Sequence, residues 1–198
     1  MKYIGLENLS KRKNQLVLVL FVLALLYTMS IFIAPLTLEP GTVTELQGRP
    51  NQIVYAEQWE ELPLYHRAVY TFGDLNCHQM TSRSYHINEN QMPIAGRMTG
   101  VFIGLTTGFF LMSFVRGSEN YKRTLLDLLK VDPEWSDGKE IALLFLLGGL
   151  FILPMILDGG LQFVIDYDSF NEFRTFTGIL FGFGFSVFIS SVILSPRG

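Results

Sequence analysis

The sequence predicts an all-α integral membrane protein: a bundle of four transmembrane helices, both termini in the cytoplasm, with a long, partly structured outer loop between the first two helices. Three observations predict it. Four long windows lack charge, although 17% of the 198 residues are charged. Lys and Arg crowd onto one set of connecting segments. Glycine and serine recur every fourth residue in two of the windows, as they do where helices pack closely in lipid.

At about 20 residues per span, four spans use about 80 residues. Too little remains for a conventional second domain, so 1–198 reads as a single membrane domain. The first window, 15–36, is longer than the roughly 7–15 residues of a signal-peptide core. It ends Phe32-Ile33-Ala34-Pro35 without a small-x-small cleavage pair, so it reads as an uncleaved anchor. An outer loop covers 37–97, with a turn at Pro40-Gly41. Within it, Gln52 to Tyr70 is rich in aromatic and acidic residues. Trp59, Tyr65 and Tyr70 suit either an element at the membrane surface or a soluble mini-helix. The second window, 98–115, lies between Arg97 and Arg116. An inner loop, 116–140, carries the helix-like stretch YKRTLLDLLK. The third window, 141–163, passes the helix breaker Pro154 and then Asp158. After a short outer loop, 164–174, the fourth runs over 175–195.

Charge asymmetry sets the orientation. With the N-terminus inside, the inner segments hold Lys2, Lys11, Arg12, Lys13, Arg116, Lys122, Arg123, Lys130, Lys139 and Arg197. The outer segments hold Arg49, Arg67, Arg83, Arg97 and Arg174, the other five of the 15 basic residues. The basic cluster before the first window is therefore a topology signal. A net charge of −3 supplies no field that would draw nucleic acid.

Gly100, Gly104 and Gly108 share one face of the second span, and Gly178, Gly182, Ser186 and Ser190 share one face of the fourth. Such faces suit helix contact within the monomer, a homodimer contact, or a hinge or pore lining. Arg97-x-Thr99-Gly100 and Arg174-x-x-Thr177-Gly178 also open their spans alike. That is the pattern a parallel two-plus-two duplication would leave.

The topology gathers the ionisable groups at the outer rim. Arg97, Asp158, Gln162, Arg174 and Thr177 fall at one depth, and the loop carrying Cys77, His78, Gln79, Arg83 and His86 lies on the same side. An acid at the end of a span needs a partner. For Asp158 that is Arg97 or Arg174, in a structural salt bridge or in a substrate, ion or proton site. Cys77-His78 is a weak start to a zinc site. Completing it would need His66, His86 or Asp158, and neither CxxC nor HxxxH spacing occurs. No cofactor is expected. Neighbours in sequence seldom make a Cys–His catalytic pair, and a single cysteine excludes an intramolecular disulfide. Asp166, Asp168, Asn171 and Glu172 read as a solvated acidic loop, with calcium binding as the alternative. There is no P-loop, dinucleotide fingerprint or GxSxG elbow.

Cys77-His78-Gln79, Arg83-Ser84, Gln91-Met92-Pro93 and Arg97-x-Thr99-Gly100, followed by Pro154, Asp158-Gly159, Gln162, Arg174 and Thr177-Gly178, form a combined pattern. It resembles an uncharacterised membrane-protein family, domain of unknown function 2085, found mainly in archaea and also in bacteria. The resemblance covers residues 65–190 or so. Such relatives read C-A-R-C where this chain has Ala95-Gly96-Arg97-Met98. The relatives' spacing suggests a thiolate metal site joined by the cysteine of the CHQ motif. Two of its three ligands are missing here, which implies weak metal binding or none. The family has no assigned activity, so the resemblance bears on fold and topology more than on function.

The sequence thus favours a non-catalytic subunit or assembly partner in the cytoplasmic membrane. Its partners would be the lipid bilayer and either another membrane protein or further copies of itself. Two other readings stand beside it: a metal protein or enzyme with an outer-interface site of Cys77, His78, Arg97, Asp158 and Arg174, and an oligomeric carrier of small solutes or ions built around Asp158.

Overall fold

The computed structural model describes residues 2–49, 51–165 and 168–195. Helix α1 (Lys2–Thr37) is 36 residues long, about 54 Å at 1.5 Å per residue. It outruns a hydrocarbon core of about 30 Å, and its apolar part is Lys13–Thr37. Long apolar stretches also fill α6 (Asp137–Val164), over Asp137–Gln162, and α7 (Asn171–Leu194). Among the described residues these three helices are long and apolar enough to cross a membrane. The second expected span is α4 (Gly96–Ser113), 18 residues with Arg97 in its first turn. It is less apolar because protein covers it on two sides, α1 on one and α7 on the other.

Contacts give the helix directions. Gly100 faces Thr175, Gly104 faces Ile179 and Gly108 faces Ser186, so α4 and α7 run parallel. Thr28 Oγ1 donates to the Phe102 carbonyl at 3.2 Å, and Asn14 reaches the Val115 carbonyl at 3.5 Å, so α1 is antiparallel to α4. Phe151 packs on Phe183 while Asp158 reaches back to Arg97, so α6 is antiparallel to α7. Pro154 does not break α6: the helix continues through it to Val164. Proline costs one backbone hydrogen bond, and apolar helices tolerate it where neighbouring turns hold the axis.

The segment expected to be a loop is a folded cap over the end of α1. It contains α2 (Ala56–Glu60), α3 (Leu64–Asn76), a 3-10 turn at Thr81–Arg83 and a small antiparallel hairpin of β1 (His86–Ile87) and β2 (Asn90–Gln91). Asn88 and Glu89 turn the hairpin with φ of 52° and 59°, the left-handed conformation of a two-residue hairpin turn. Val43, Leu46, Trp59, Val69 and Tyr70 form the cap core and seat on Ala34 of α1 and on Leu38 just past its end. Trp59 and Tyr70 are therefore buried in protein rather than lying at a lipid surface, and only Tyr65 of the three expected surface aromatics is exposed.

At the other end of the bundle lies α5 (Tyr121–Leu128), capped by Asn120, whose Oδ1 accepts from the Arg123 amide at 2.8 Å. Lys122 binds Glu140 at 2.7 Å and Asp137 at 3.1 Å, joining α5 to the start of α6. These hydrogen bonds to the two carboxylates raise the Lys122 pKa above its ordinary value. Lys13 donates to the Ser195 carbonyl, and Thr124 meets Ser195 at 3.3 Å. Opposite the cap, α5 thus joins the start of α6 to the end of α7, and Lys13 ties α1 to the same point.

Candidate functional site: the polar rim beneath the cap

Two ion-pair systems occupy the rim where the cap meets the helices. In the first, Arg97 from the first turn of α4 donates to Asp158 of α6. The Asp158 side chain is fully buried and that of Arg97 is 23% exposed. Among the described residues, Asp158 Oδ1 and Arg97 Nε are buried without a hydrogen-bond partner. A cleft of about 300 Å³ lies on the Arg97 side of the pair, lined by Arg97, Ile152, Ile156, Gly159 and Phe181.

The second system centres on Arg174, which is buried at the start of α7. It donates to Asp168, to Ser169 Oγ at 3.1 Å and to Asn171 at 3.4 Å. Arg83, from the 3-10 turn of the cap, binds the same Asp168 oxygen at 3.2 Å. Gln162 joins through Ser169 Oγ, also at 3.1 Å. Arg174 is therefore not the partner of Asp158; its guanidinium is held by the loop just before its own helix. Nor is that loop simply solvated at Asp168, which bridges two arginines. Asp166 lies outside the described residues. Thr177 spends its hydroxyl on the Arg174 carbonyl at 3.0 Å. Tyr85 of the cap meets Thr175 at 2.9 Å, and Thr175 also donates to the Gly96 carbonyl, so cap, α4 and α7 are joined at one point.

Cys77 and His78 sit in different surroundings. Cys77 is buried against Ile31, Met92 and Ile94, and its Sγ accepts from the Ala95 amide at 3.3 Å, whereas His78 is exposed. His86 is exposed on β1, and His66 of α3 bonds Thr37 of α1 at 2.9 Å. Burial pushes the His66 pKa below its ordinary value. Among the described residues no three His, Cys, Asp or Glu side chains group to hold a metal ion. Gln79 is fully buried, its amide donating to the Pro93 carbonyl at 2.8 Å.

The small-residue faces of α4 and α7 meet each other. A Cβ on Gly100 would stand 2.0 Å from the Thr175 carbonyl oxygen, and one on Gly104 would stand 2.3 Å from that of Ile179. Across the seam, a Cβ on Gly178 or Gly182 would strike the Arg97 or Val101 carbonyl at 2.2 or 2.1 Å. Ser186 packs into the notch at Gly108.

Sequence reading missed the polar core of the cap. Asp74 is fully buried and accepts from the backbone amides of Val54 and Tyr55 and from the Trp59 indole. Asn90 fixes the Val43 amide and the Pro35 and Glu39 carbonyls. Gln91 fixes the Leu46 amide and the Gln79 carbonyl, and its own carbonyl accepts from Tyr70. Burial pushes the Tyr70 hydroxyl pKa upward. One signal was present for Asp74: with Val69, Tyr70 and Gly73 it falls on a single helical face. Nothing local marked Asn90 or Gln91.

Apolar helices of spanning length, packed through glycine and pinned by buried ion pairs, define a helical membrane protein. The chain belongs to the family described as "Predicted membrane protein (DUF2085)", whose profile matches residues 77–188. It is 27% identical over 166 residues to an uncharacterized protein of Methanocaldococcus jannaschii, covering 84% of this chain and 85% of the relative. It is 28% identical over 111 residues to an uncharacterized protein of Methanothermobacter thermautotrophicus, covering 56% of this chain and 81% of the relative. No solved structure matches.

Proposed function

We propose that the protein is a multi-pass component of the cytoplasmic membrane, with four spans and both termini inside, and that it serves as a non-catalytic subunit or assembly partner of a membrane complex. The observation that carries this is the state of α6. Of its glycines, Gly159 lies against Arg97 of α4, where a Cβ would stand 3.3 Å from the guanidinium, but three others are not used inside the protein: Gly148 and Gly160 meet nothing within 4 Å, and Gly149 meets only Leu153 of its own helix. Glycine costs a helix about 1 kcal/mol relative to alanine, and in lipid its return is close approach of another helix. On α4 and α7 that return is collected within the chain. On α6 it awaits a helix from another membrane protein or a second copy.

The fourth span is α4. Its 18 residues rise about 27 Å, enough for a slightly thinned bilayer, and its Arg97 is neutralised by Asp158. The predominance of Lys and Arg at the α5 end supports placing that end in the cytoplasm.

Extraction in mild detergent should copurify a membrane protein or a second copy. A cysteine at the exposed position of Leu146→Cys, in a Cys77→Ser background, should cross-link to that partner. A monomeric species with no cross-link overturns the proposal. Reagents that do not cross the membrane should label His78→Cys and Lys130→Cys from opposite sides; labelling from one side overturns the topology. A second reading, a binding or carrier site at the rim, rests on the unpartnered Arg97 Nε and Asp158 Oδ1 and on the cleft at the Arg97 side of the pair. Reconstituted vesicles showing no Asp158-dependent flux would remove its carrier form for the ions tried.

A further inference from the structure

Three oxygens, two of them on fully buried side chains, converge over Gly48 in the cap. A Cβ on Gly48 would stand 3.1 Å from Asp74 Oδ1, 3.3 Å from Gln79 Oε1 and 3.3 Å from the His78 carbonyl oxygen. Asp74 and Gln79 are both fully buried. Among the described residues, neither Asp74 Oδ1 nor Gln79 Oε1 accepts a hydrogen bond.

Their placement is enforced by the surrounding structure. Asp74 Oδ2 accepts from the Val54 and Tyr55 amides at 2.8 and 2.9 Å and from the Trp59 indole at 3.1 Å, which turns Oδ1 toward Gly48. The Gln79 amide cannot be flipped without opposing two oxygens, because its nitrogen donates to the Pro93 carbonyl at 2.8 Å. Gln79 itself holds φ of 46°, a left-handed conformation uncommon for a residue with a side chain. The Gln91 amide clamps the Gln79 carbonyl at 2.6 Å.

Each orphaned buried acceptor costs about 1–3 kcal/mol, and native interiors satisfy such groups with water or ions. A water molecule has two protons for these three acceptors and leaves the carboxylate charge without a counter-charge. A cation answers all three oxygens and the charge together. Carboxylate, amide and peptide oxygens are the ligands of hard cations, not of thiophilic metals. We propose that Asp74 Oδ1, Gln79 Oε1 and the His78 carbonyl form a site for a hard cation, of the sodium or calcium kind, with glycine at position 48 leaving it room. Bound there, the cation ties α3 and the 77–79 turn to the 46–49 segment and stabilises the cap. The inference is independent of the role proposed for α6.

The test uses the full chain in detergent, stripped of metal and held in choline chloride at constant ionic strength. Thermal unfolding is then followed as NaCl or CaCl2 replaces choline. One of the two salts should raise Tm saturably, by about 2–4 °C, and the effective salt identifies the cation's charge. Gly48→Ala should remove the rise, because its methyl group occupies the space between the oxygens; the φ of Gly48 suits alanine, so the variant should fold. Calorimetric titration of the wild type with the effective salt checks the binding directly and does not depend on the variant. No saturable rise with either salt, or an undiminished rise in Gly48→Ala, would mean that the niche holds only water and would overturn the proposal.

Discussion

Alanine at Gly104 should destabilise the protein even though alanine is the better helix former. The new Cβ would stand 2.3 Å from the Ile179 carbonyl oxygen and 2.7 Å from the Phe183 nitrogen, both backbone atoms. No flexible side chain can yield, so α4 and α7 must separate by about 1 Å to reach the 3.4 Å of ordinary contact. A gap of that size forfeits up to about half of each neighbouring dispersion contact along the seam. Overpacking of this kind costs about 1–3 kcal/mol, and alanine returns about 1 kcal/mol of helix propensity. The expected net loss is up to about 2 kcal/mol. Gly148→Ala on α6 is the control: nothing lies within 4 Å, so it should be neutral or stabilising by up to about 1 kcal/mol. Unfolding by sodium dodecyl sulfate titration from a mild detergent, followed by far-ultraviolet circular dichroism, measures both. Equal midpoints for Gly104→Ala and wild type would refute the glycine-seam reasoning.

Removing either partner of Arg97–Asp158 strands a buried charge, so Arg97→Ala should lose about 3–5 kcal/mol while Arg97→Ala/Asp158→Ala recovers part of it; additive losses in the same titration would show that the two groups are uncoupled. Cys77 should resist maleimide in the folded protein and react on unfolding, because its side chain is buried among Ile31, Met92 and Ile94; fast labelling of native protein would contradict that packing. The His66 pKa is lowered from 6.5 by burial. Its stabilising contribution is thus complete above pH 6.5 and fades as pH falls through the lower folded-state value, so hydrogen exchange in α3 should quicken on acidification and His66→Gln should blunt the change. An unchanged exchange rate across that range would count against the contact with Thr37.

The helices were legible because lipid imposes a strong one-dimensional signal: uninterrupted apolar length. α1, α6 and α7 begin and end within a few residues of their expected limits wherever that signal is sharp, and α1 overruns only at its charged start. Pro154 leaves α6 unbroken because local propensity is overridden when the rest of the helix is apolar. Asp158 advertised its need for a partner, but two arginines were in register with it, and only tertiary geometry assigns Arg97 to α6 and Arg174 to Asp168. The cap was least legible. Its core is held by Asp74, Asn90 and Gln91, side chains whose partners outside the hairpin lie 10 to 55 residues away and leave no periodic trace. Trp59 and Tyr70 carry the same amphipathic chemistry at a lipid interface as in a small protein core, and composition alone does not separate the two.

The interlocked seam between α4 and α7 has a consequence for biogenesis. The two helices lie side by side, yet about 80 residues of synthesis separate the end of one from the end of the other. At 5–20 residues per second that is roughly 4–16 s. During that interval the glycine notches of α4 face lipid, translocon or chaperone, and its arginine must wait for the aspartate of α6. The nascent chain therefore secures α4 last, and the order in which helices leave the ribosome is not the order in which they become secure.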